Sequence, residues 1–124
     1  GHSIGEKHNT ELVLEAFNNA NVNKSLFKIF HTDRGGEFRG EELISYLEGN
    51  DVQRSMSKPG CPYDNSASER LFRIFKIEWM KESYQDIIEF QADVNEFVQW
   101  YNYFRIHSTL GYKTPVEKRL AITN

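Results

Sequence analysis

An apolar run that ends on an acidic residue constrains the fold of this chain more than any other feature. Four of the seven residues at positions 25–31 are large and apolar, and Asp33 follows just behind them, ahead of Gly35 and Gly36. A nearly continuous apolar run of this length is typical of a strand covered on both faces. The glycines allow a tight turn after it. Because ligands of open α/β sheets gather at the carboxyl ends of strands, Asp33 is a candidate site residue.

Helical and extended patterns alternate along the rest of the chain, which predicts an α/β fold. Residues 1–5 resemble the end of a strand, and Asn9 or Thr10 can cap the helix that follows. We expect further helices over residues 41–47, 66–81 and 86–106, a second strand over residues 52–56, and a turn-like tail over residues 107–115. Residues 57–65 contain two prolines and a glycine. This composition predicts a loop of the kind that often borders a site.

Composition limits the class of protein. The chain has 124 residues, which suits one domain, and its one cysteine, Cys61, cannot form an internal disulfide. No apolar stretch approaches the length of a membrane span, and a lone cysteine favours a reducing compartment, so we expect a cytoplasmic protein. The net charge of −3 argues mildly against a surface that coats nucleic acid. It does not exclude an enzyme acting on DNA, because a metal site concentrates carboxylates.

Glu69 is the second candidate acid, and 35 residues separate it from Asp33. Two carboxylates that converge can hold Mg²⁺ or Mn²⁺ for phosphoryl transfer. Each has an ordinary alternative. Asp33 suits a turn, and Ser66 with Glu69 three residues later forms a capping-box pattern that would make Glu69 structural. If Asp64 or Asn65 caps the helix instead, Glu69 lies further into it and can face a metal; the sequence permits both.

Basic and histidine residues offer further candidates. Arg73 and Lys76 follow Glu69 at helical spacing, which suits either phosphate contacts beside a metal or a solvated, salt-bridged helix face. His31 and His107 are possible ligands, although hydrogen-bonded structural histidines are commoner. Cys61 lacks a partner pattern, which argues against zinc and against nucleophilic catalysis.

Together these motifs resemble the integrase core shared by retroviral integrases and bacterial insertion-sequence transposases, and the bacterial proteins most closely. The resemblance rests on His-Thr-Asp-Arg-Gly at 31–35, the 35-residue spacing, Tyr-Asp-Asn-Ser-Ala-Ser-Glu at 63–69, Lys76, and the segment from Tyr101 to Pro115. It covers residues 3–118. That tail segment also argues against a third possibility, an RNase H-like nuclease unrelated to transposition.

The resemblance implies an RNase H-like fold and a triad of two aspartates and one glutamate. Such a triad binds Mg²⁺ or Mn²⁺ and joins DNA ends to target DNA. Asp33 would be the second acid and Glu69 the third. Arg73 and Lys76 would contact DNA near the cut, and Asp64 and Asn65 would shape the loop before the catalytic helix.

One departure from the family bears on activity. The first aspartate belongs on an earlier strand, so we expect this chain to be the C-terminal two-thirds of a core that lacks its N-terminal strands. On this view residues 1–118 are a partial catalytic core and residues 119–124 a tail. We expect weak metal binding, no strand transfer by this chain alone, and self-association through the bare edge of the 25–31 strand. The alternative function is an inactive fragment that self-associates or binds a full-length transposase.

Overall fold

The structure is a computed structural model that describes residues 1–123, except for the side chains of Pro62, Asn65 and Thr123. The chain divides into two compact units, Gly1–Leu71 and Phe72–Asn124, each described by itself below. The regular elements are α1 (Thr10–Asn18), β1 (Ile29–Thr32), α2 (Glu41–Gly49), β2 (Gln53–Met56), α3 (Ser66–Ile74), α4 (Ile87–Tyr103) and α5 (Pro115–Thr123). The architecture is therefore mixed, with helices and a small sheet.

The first unit is built around a strand–helix–strand (βαβ) motif. β1 and β2 pair in parallel, with Ile29 opposite Gln53 and Thr32 opposite Met56, and α2 lies between them in the chain. Parallel strands have their C-terminal ends on the same side of a sheet, so the residues that follow Thr32 and Met56 come together there. The candidate site lies at these C-terminal ends.

The core of the first unit lies between the helices and the sheet. Its buried members are Phe17 from α1, Leu43 and Leu47 from α2, and Val52 just before β2. Phe30 of β1 packs against this cluster and meets the Phe17 ring edge-on, with 5.7 Å between ring centroids. α1 begins as the sequence predicts, because the Asn9 side chain accepts a hydrogen bond from the Leu12 amide.

The second unit is a helical assembly with an aromatic core. Phe75 and Phe97 are buried, and their ring centroids lie 5.0 Å apart. The Asp86 side chain caps α4 by accepting from the Glu89 amide at 2.8 Å. A 3-10 turn at Ser108–Leu110 then leads to α5. None of the helices in the described residues combines the length and apolar character that crossing a membrane requires.

The sheet differs from the sequence prediction in three ways. β1 begins at Ile29 instead of residue 25, because Asn23 caps a 3-10 turn at Lys24–Leu26. Residues 1–5 form no strand. β1 is not covered on both faces: the Ile29 side chain is 60% exposed, while Phe30 packs on the core. Its long apolar run gave no sign of this difference between the faces.

The helices also differ from the prediction at their ends. α3 stops at Ile74 and passes into a π-helical turn at Phe75–Trp79, in which the Met80 amide bonds to the Phe75 carbonyl at 2.8 Å. α4 ends at Tyr103, not at residue 106, because the Phe104 and Arg105 amides both turn back to the Trp100 carbonyl. No helix was predicted after Pro115, yet α5 occupies that stretch.

Candidate functional site

Asp33 and Glu69 line one cleft of the first unit, with a volume of about 290 Å³. Asp33 follows the C-terminal end of β1, and Glu69 lies in the first turn of α3. The remaining lining residues come from the stretches that follow the two strands: Arg34, Ser57, Lys58, Pro59, Gly60 and Cys61. The structure therefore brings together the two acids that the sequence singled out.

Asp33 is oriented by its own turn. Its Oδ1 atom accepts a hydrogen bond from the Gly35 amide at 2.8 Å, and the buried Thr32 hydroxyl donates to the Asp33 carbonyl at 2.9 Å. The turn interpretation and the site interpretation of Asp33 are thus compatible. One carboxylate oxygen shapes the turn, and the other accepts no hydrogen bond within the described part of the chain.

Glu69 does not form the capping box that its spacing from Ser66 allows. A 3-10 turn at Pro62–Asn65 runs directly into α3, and Ser66 already has helical dihedrals. The Ser66 amide bonds to the Tyr63 carbonyl, so it needs no partner from Glu69. The structural interpretation of Glu69 is therefore wrong, and its exposed carboxylate is available to the cleft.

Two hydrogen bonds join Ser57, a lining residue of the cleft, to the end of β1 and to the turn after it. The Ser57 amide donates to the Thr32 carbonyl at 2.8 Å, which extends the ladder past the end of β2. Arg34 Nε donates to the Ser57 carbonyl at 2.9 Å. These bonds fix the start of the predicted loop beside Asp33, and the loop does border the site.

Lys58 is a cleft residue that the sequence analysis did not single out. Its amide donates to Asp64 Oδ2 at 3.1 Å, which ties the start of the loop to its end. The available signal was its position, because Lys58 opens a proline- and glycine-containing loop directly after a strand. Asp64 itself is exposed, and the side chain of Asn65 lies outside the described residues.

The two histidines are held by hydrogen bonds, as the commoner interpretation expected. His31 Nδ1 lies 2.9 Å from the Ser55 hydroxyl, and its Nε2 atom lies 3.2 Å from the Ser57 hydroxyl. In the second unit, His107 Nδ1 lies 3.1 Å from an Arg105 Nη atom. Burial and the adjacent Arg105 charge lower the pKa of His107. Neither ring presents both nitrogens to a ligand.

Arg73 and Lys76 belong to the second unit. Arg73 lies in the last turn of α3 and Lys76 in the π-helical turn, and both side chains are exposed. Among the residues that the structure describes, neither takes part in an ion pair. Neither cation therefore forms the salt bridge that the helix-face interpretation allowed.

The cleft offers part of a ligand set for a divalent cation. Asp33 and Glu69 supply carboxylate oxygens, the donors that Mg²⁺ and Mn²⁺ prefer. Within residues 1–123 as described, no three His, Cys, Asp or Glu side chains are grouped so as to hold a metal ion. Asp33 and Glu69 are the two acids that line the cleft, so they are the candidate ligands for such an ion.

Comparison with known proteins places the chain in a family. Residues 50–115 match the sequence model of the family described as "Integrase core domain". This match covers more than half of the chain and includes Glu69 with the loop before it. The chain belongs to the integrase core domain family.

Individual relatives agree with that assignment. The chain is 34% identical over 100 residues to a Shigella flexneri protein named "Probable transposase for insertion sequence element IS1353". It is 33% identical over 89 residues to the transposase for insertion sequence element IS904 of Lactococcus lactis. It is 34% identical over 89 residues to transposase InsF for insertion sequence IS3A of Escherichia coli.

The three matches cover most of this chain and a smaller part of each relative. They span 76%, 70% and 70% of this chain, and 19%, 35% and 31% of the respective relatives. The chain therefore corresponds to about a third or less of the length of these proteins.

Proposed function

We propose that this chain carries the second and third acids of a transposase catalytic core that joins DNA by metal-dependent phosphoryl transfer. The observation that carries the proposal is the shared cleft: Asp33 and Glu69, 36 positions apart in the sequence, line the same cavity. The transposases that the chain resembles support the reaction class. The parallel pairing of β1 and β2, with Asp33 at their common end, supports an RNase H-like fold.

In this proposal the residues have distinct roles. Asp33 and Glu69 each offer carboxylate oxygens to Mg²⁺ or Mn²⁺, which supplies positive charge at the reacting phosphate. The Gly35 amide orients Asp33, so the carboxylate needs little reorganisation on binding. Arg73 and Lys76 contact the DNA backbone, since each is an exposed cation that forms no ion pair within the described residues.

A Mn²⁺ titration followed by amide NMR of the isotope-labelled chain tests the metal site. Selective broadening of the amides around both Asp33 and Glu69 is the expected result, because a paramagnetic ion held between them relaxes nearby nuclei. Broadening around one acid alone, or uniform weak broadening, would contradict the proposal. With two carboxylates as ligands we expect a dissociation constant on the order of 10⁻³ M, at the weak end of the range for oxygen-ligand sites.

Three variants sharpen this experiment. Asp33→Asn and Glu69→Gln should each abolish selective broadening at both acids, because each removes one of the two anionic ligands. Glu48→Gln is the matched control, since Glu48 is an exposed acid of α2 that does not line the cleft. Its amide signals around Asp33 and Glu69 should broaden as they do in the unmodified chain.

A second candidate function is association with another chain through β1. In the described residues the sheet has two strands, so one edge of β1 has no strand beside it. Leu26 and Ile29, just before and on this strand, are 68% and 60% exposed. An open edge with apolar side chains recruits further strands, from a second copy or from a full-length transposase.

Light scattering and hydrogen exchange test this association. At tens of micromolar we expect an average mass above that of one chain, and slow exchange of the amides at residues 29–32. Ile29→Lys should return the mass to that of a monomer. Ile77→Lys is the control, because Ile77 is 72% exposed and lies in the second unit. A monomer with freely exchanging β1 amides would refute the association.

A further inference from the structure

We propose that Lys58 is a phosphate-binding residue of the cleft, and that the carboxylate of Asp64 presents it by holding its main chain. The ligand is a phosphodiester of the DNA backbone. This inference rests on the proposed function, because the phosphate concerned is one that enters the cleft of Asp33 and Glu69.

The composition of the cleft carries the first step. Lys58 and Arg34 are the cations among the residues that line it. Arg34 already donates its Nε hydrogen to the Ser57 carbonyl, so part of its guanidinium is committed to the cleft wall. Within the described residues the exposed Lys58 ammonium forms no ion pair and no hydrogen bond. It is the cation left to meet an incoming anion.

The loop carries the second step. Asp64 Oδ2 accepts from the Lys58 amide at 3.1 Å, across six positions of the chain, and the Cys61 amide donates to the Lys58 carbonyl at 3.2 Å. Gly60, at a φ of +72°, supplies the left-handed residue between them. Both main-chain polar groups of Lys58 are thus engaged inside the loop. These hydrogen bonds restrict the main-chain conformation at Lys58, and therefore the direction in which its side chain leaves the main chain.

Electrostatics explain why a lysine is useful at this point. Two carboxylates repel a phosphodiester, and divalent cations bound to them remove that repulsion at the acids. A lysine ammonium is a compact charge on a flexible stem, so it can follow a phosphate oxygen that moves during strand exchange. The fixed main chain keeps the ammonium within reach of the cleft, and the stem supplies the remaining adjustment.

Lysine footprinting tests the contact directly. The chain is acetylated with and without a duplex DNA of about 20 base pairs, and the rate at each lysine is read by mass spectrometry. DNA should slow acetylation of Lys58 several-fold. Lys28 is the control, since it is an exposed lysine of the same unit that does not line the cleft. Its rate should not change.

Equal acetylation of Lys58 with and without DNA would overturn the inference. Its failure can be told from failure of the proposed function by the Mn²⁺ titration. If the ion still broadens the amides at Asp33 and Glu69, the metal site stands and only the role of Lys58 is wrong. If no selective broadening occurs, the proposed function itself fails.

Affinity measurements on variants test the link between Lys58 and Asp64. Lys58→Gln should weaken binding of the same duplex about 3- to 10-fold. It should also reduce the slope of log K against log salt concentration by about 0.9, as expected for one lost phosphate contact. Lys58→Arg should retain most of the affinity, and Lys28→Gln all of it. An amide spectrum of each variant establishes that it is folded.

Asp64→Ala separates positioning from a direct contribution. In the unmodified chain this change should weaken DNA binding, although it removes a negative charge and simple electrostatics predicts the opposite. In the Lys58→Gln background it should have no weakening effect, since there is no ammonium left to position. Equal weakening in both backgrounds, or tighter binding in the unmodified chain, would overturn the role of Asp64.

Discussion

Arg105 and Glu78 form a two-point ion pair between positions 27 residues apart in the second unit. Arg105 Nε donates to Glu78 Oε2 at 2.9 Å, and an Nη atom donates to Oε1 at 2.7 Å. Glu78 belongs to the π-helical turn, and Arg105 follows the end of α4. The pair thus fastens the segment after α4 to the turn that follows α3, and its hydrogen bonds lower the pKa of Glu78.

Arg105→Lys should lower the free energy of unfolding by about 1 kcal/mol, because a lysine cannot reproduce a bidentate contact and the pair is partly exposed. Urea titration followed by tryptophan fluorescence measures the change. Lys81→Gln is the matched control. It breaks the Lys81–Glu89 pair, whose lysine side chain is 51% exposed, and should change the free energy of unfolding less than Arg105→Lys does. Equal losses in the two variants would contradict the importance of the two-point geometry.

Asp93→Ala should destabilise the second unit by about 1–3 kcal/mol, since it removes the buried acceptor of two partly buried hydrogen-bond donors. The buried Asp93 carboxylate accepts from Trp79 Nε1 at 3.1 Å and from the Tyr84 hydroxyl. Tyr84→Phe removes one of these donors and keeps the ring, so it should cost less. Thermal unfolding by circular dichroism checks both variants, and a larger loss for Tyr84→Phe would refute this account.

His107 should make stability depend on pH. Arg105 can only donate hydrogen bonds, so His107 Nδ1 accepts from it and the neutral ring carries its proton on Nε2. That Nε2 atom is buried and has no partner in the described residues. Burial, followed by the Arg105 charge, lowers the pKa of His107 below its ordinary value of 6.5. Protonation of the folded chain is therefore disfavoured.

The sign of the dependence follows from linkage. Well above pH 6.5 the His107 ring is neutral in both the folded and the unfolded chain, so protonation of this ring takes nothing from the free energy of unfolding. As the pH falls through 6.5 towards the lower folded value, the unfolded chain takes up a proton first, so the free energy of unfolding decreases. Urea titrations at a series of pH values should show this decrease, and a smaller one for His107→Gln. Identical slopes in both proteins would contradict the assignment to His107.

Leu47→Ala should cost about 3–5 kcal/mol in the free energy of unfolding, because the side chain is 1% exposed and its loss leaves a cavity in the core of the first unit. Leu26→Ala is the control. Leu26 is 68% exposed, so the change should stay within about 0.5 kcal/mol. Guanidinium titration measures both. A small loss at Leu47 would mean that the core relaxes to fill the space.

The sequence by itself determined features that depend on neighbouring residues in the chain, such as the starts of helices and the turn after β1. Asn9, one of the two predicted cap residues, caps α1, and the last long helix begins next to Asp86, where its predicted range begins. The acid at the end of β1 was also predictable, because an apolar run, an aspartate and two glycines follow one another along the chain. The family resemblance depended on the same local motifs.

Only the tertiary structure decided features that depend on distant partners. At Ser66 the capping box and the preceding 3-10 turn are both local alternatives, and the contact across the loop from the Lys58 amide to Asp64, a residue of that turn, accompanies the second. The exposure of Ile29 depends on what covers β1, which no periodicity within the strand encodes. Lys58 became a candidate because the parallel pairing of β1 and β2 brings the stretch after Met56 beside Asp33. Contacts between distant residues select among conformations that local sequence leaves nearly equal in free energy, and they place side chains that local sequence cannot.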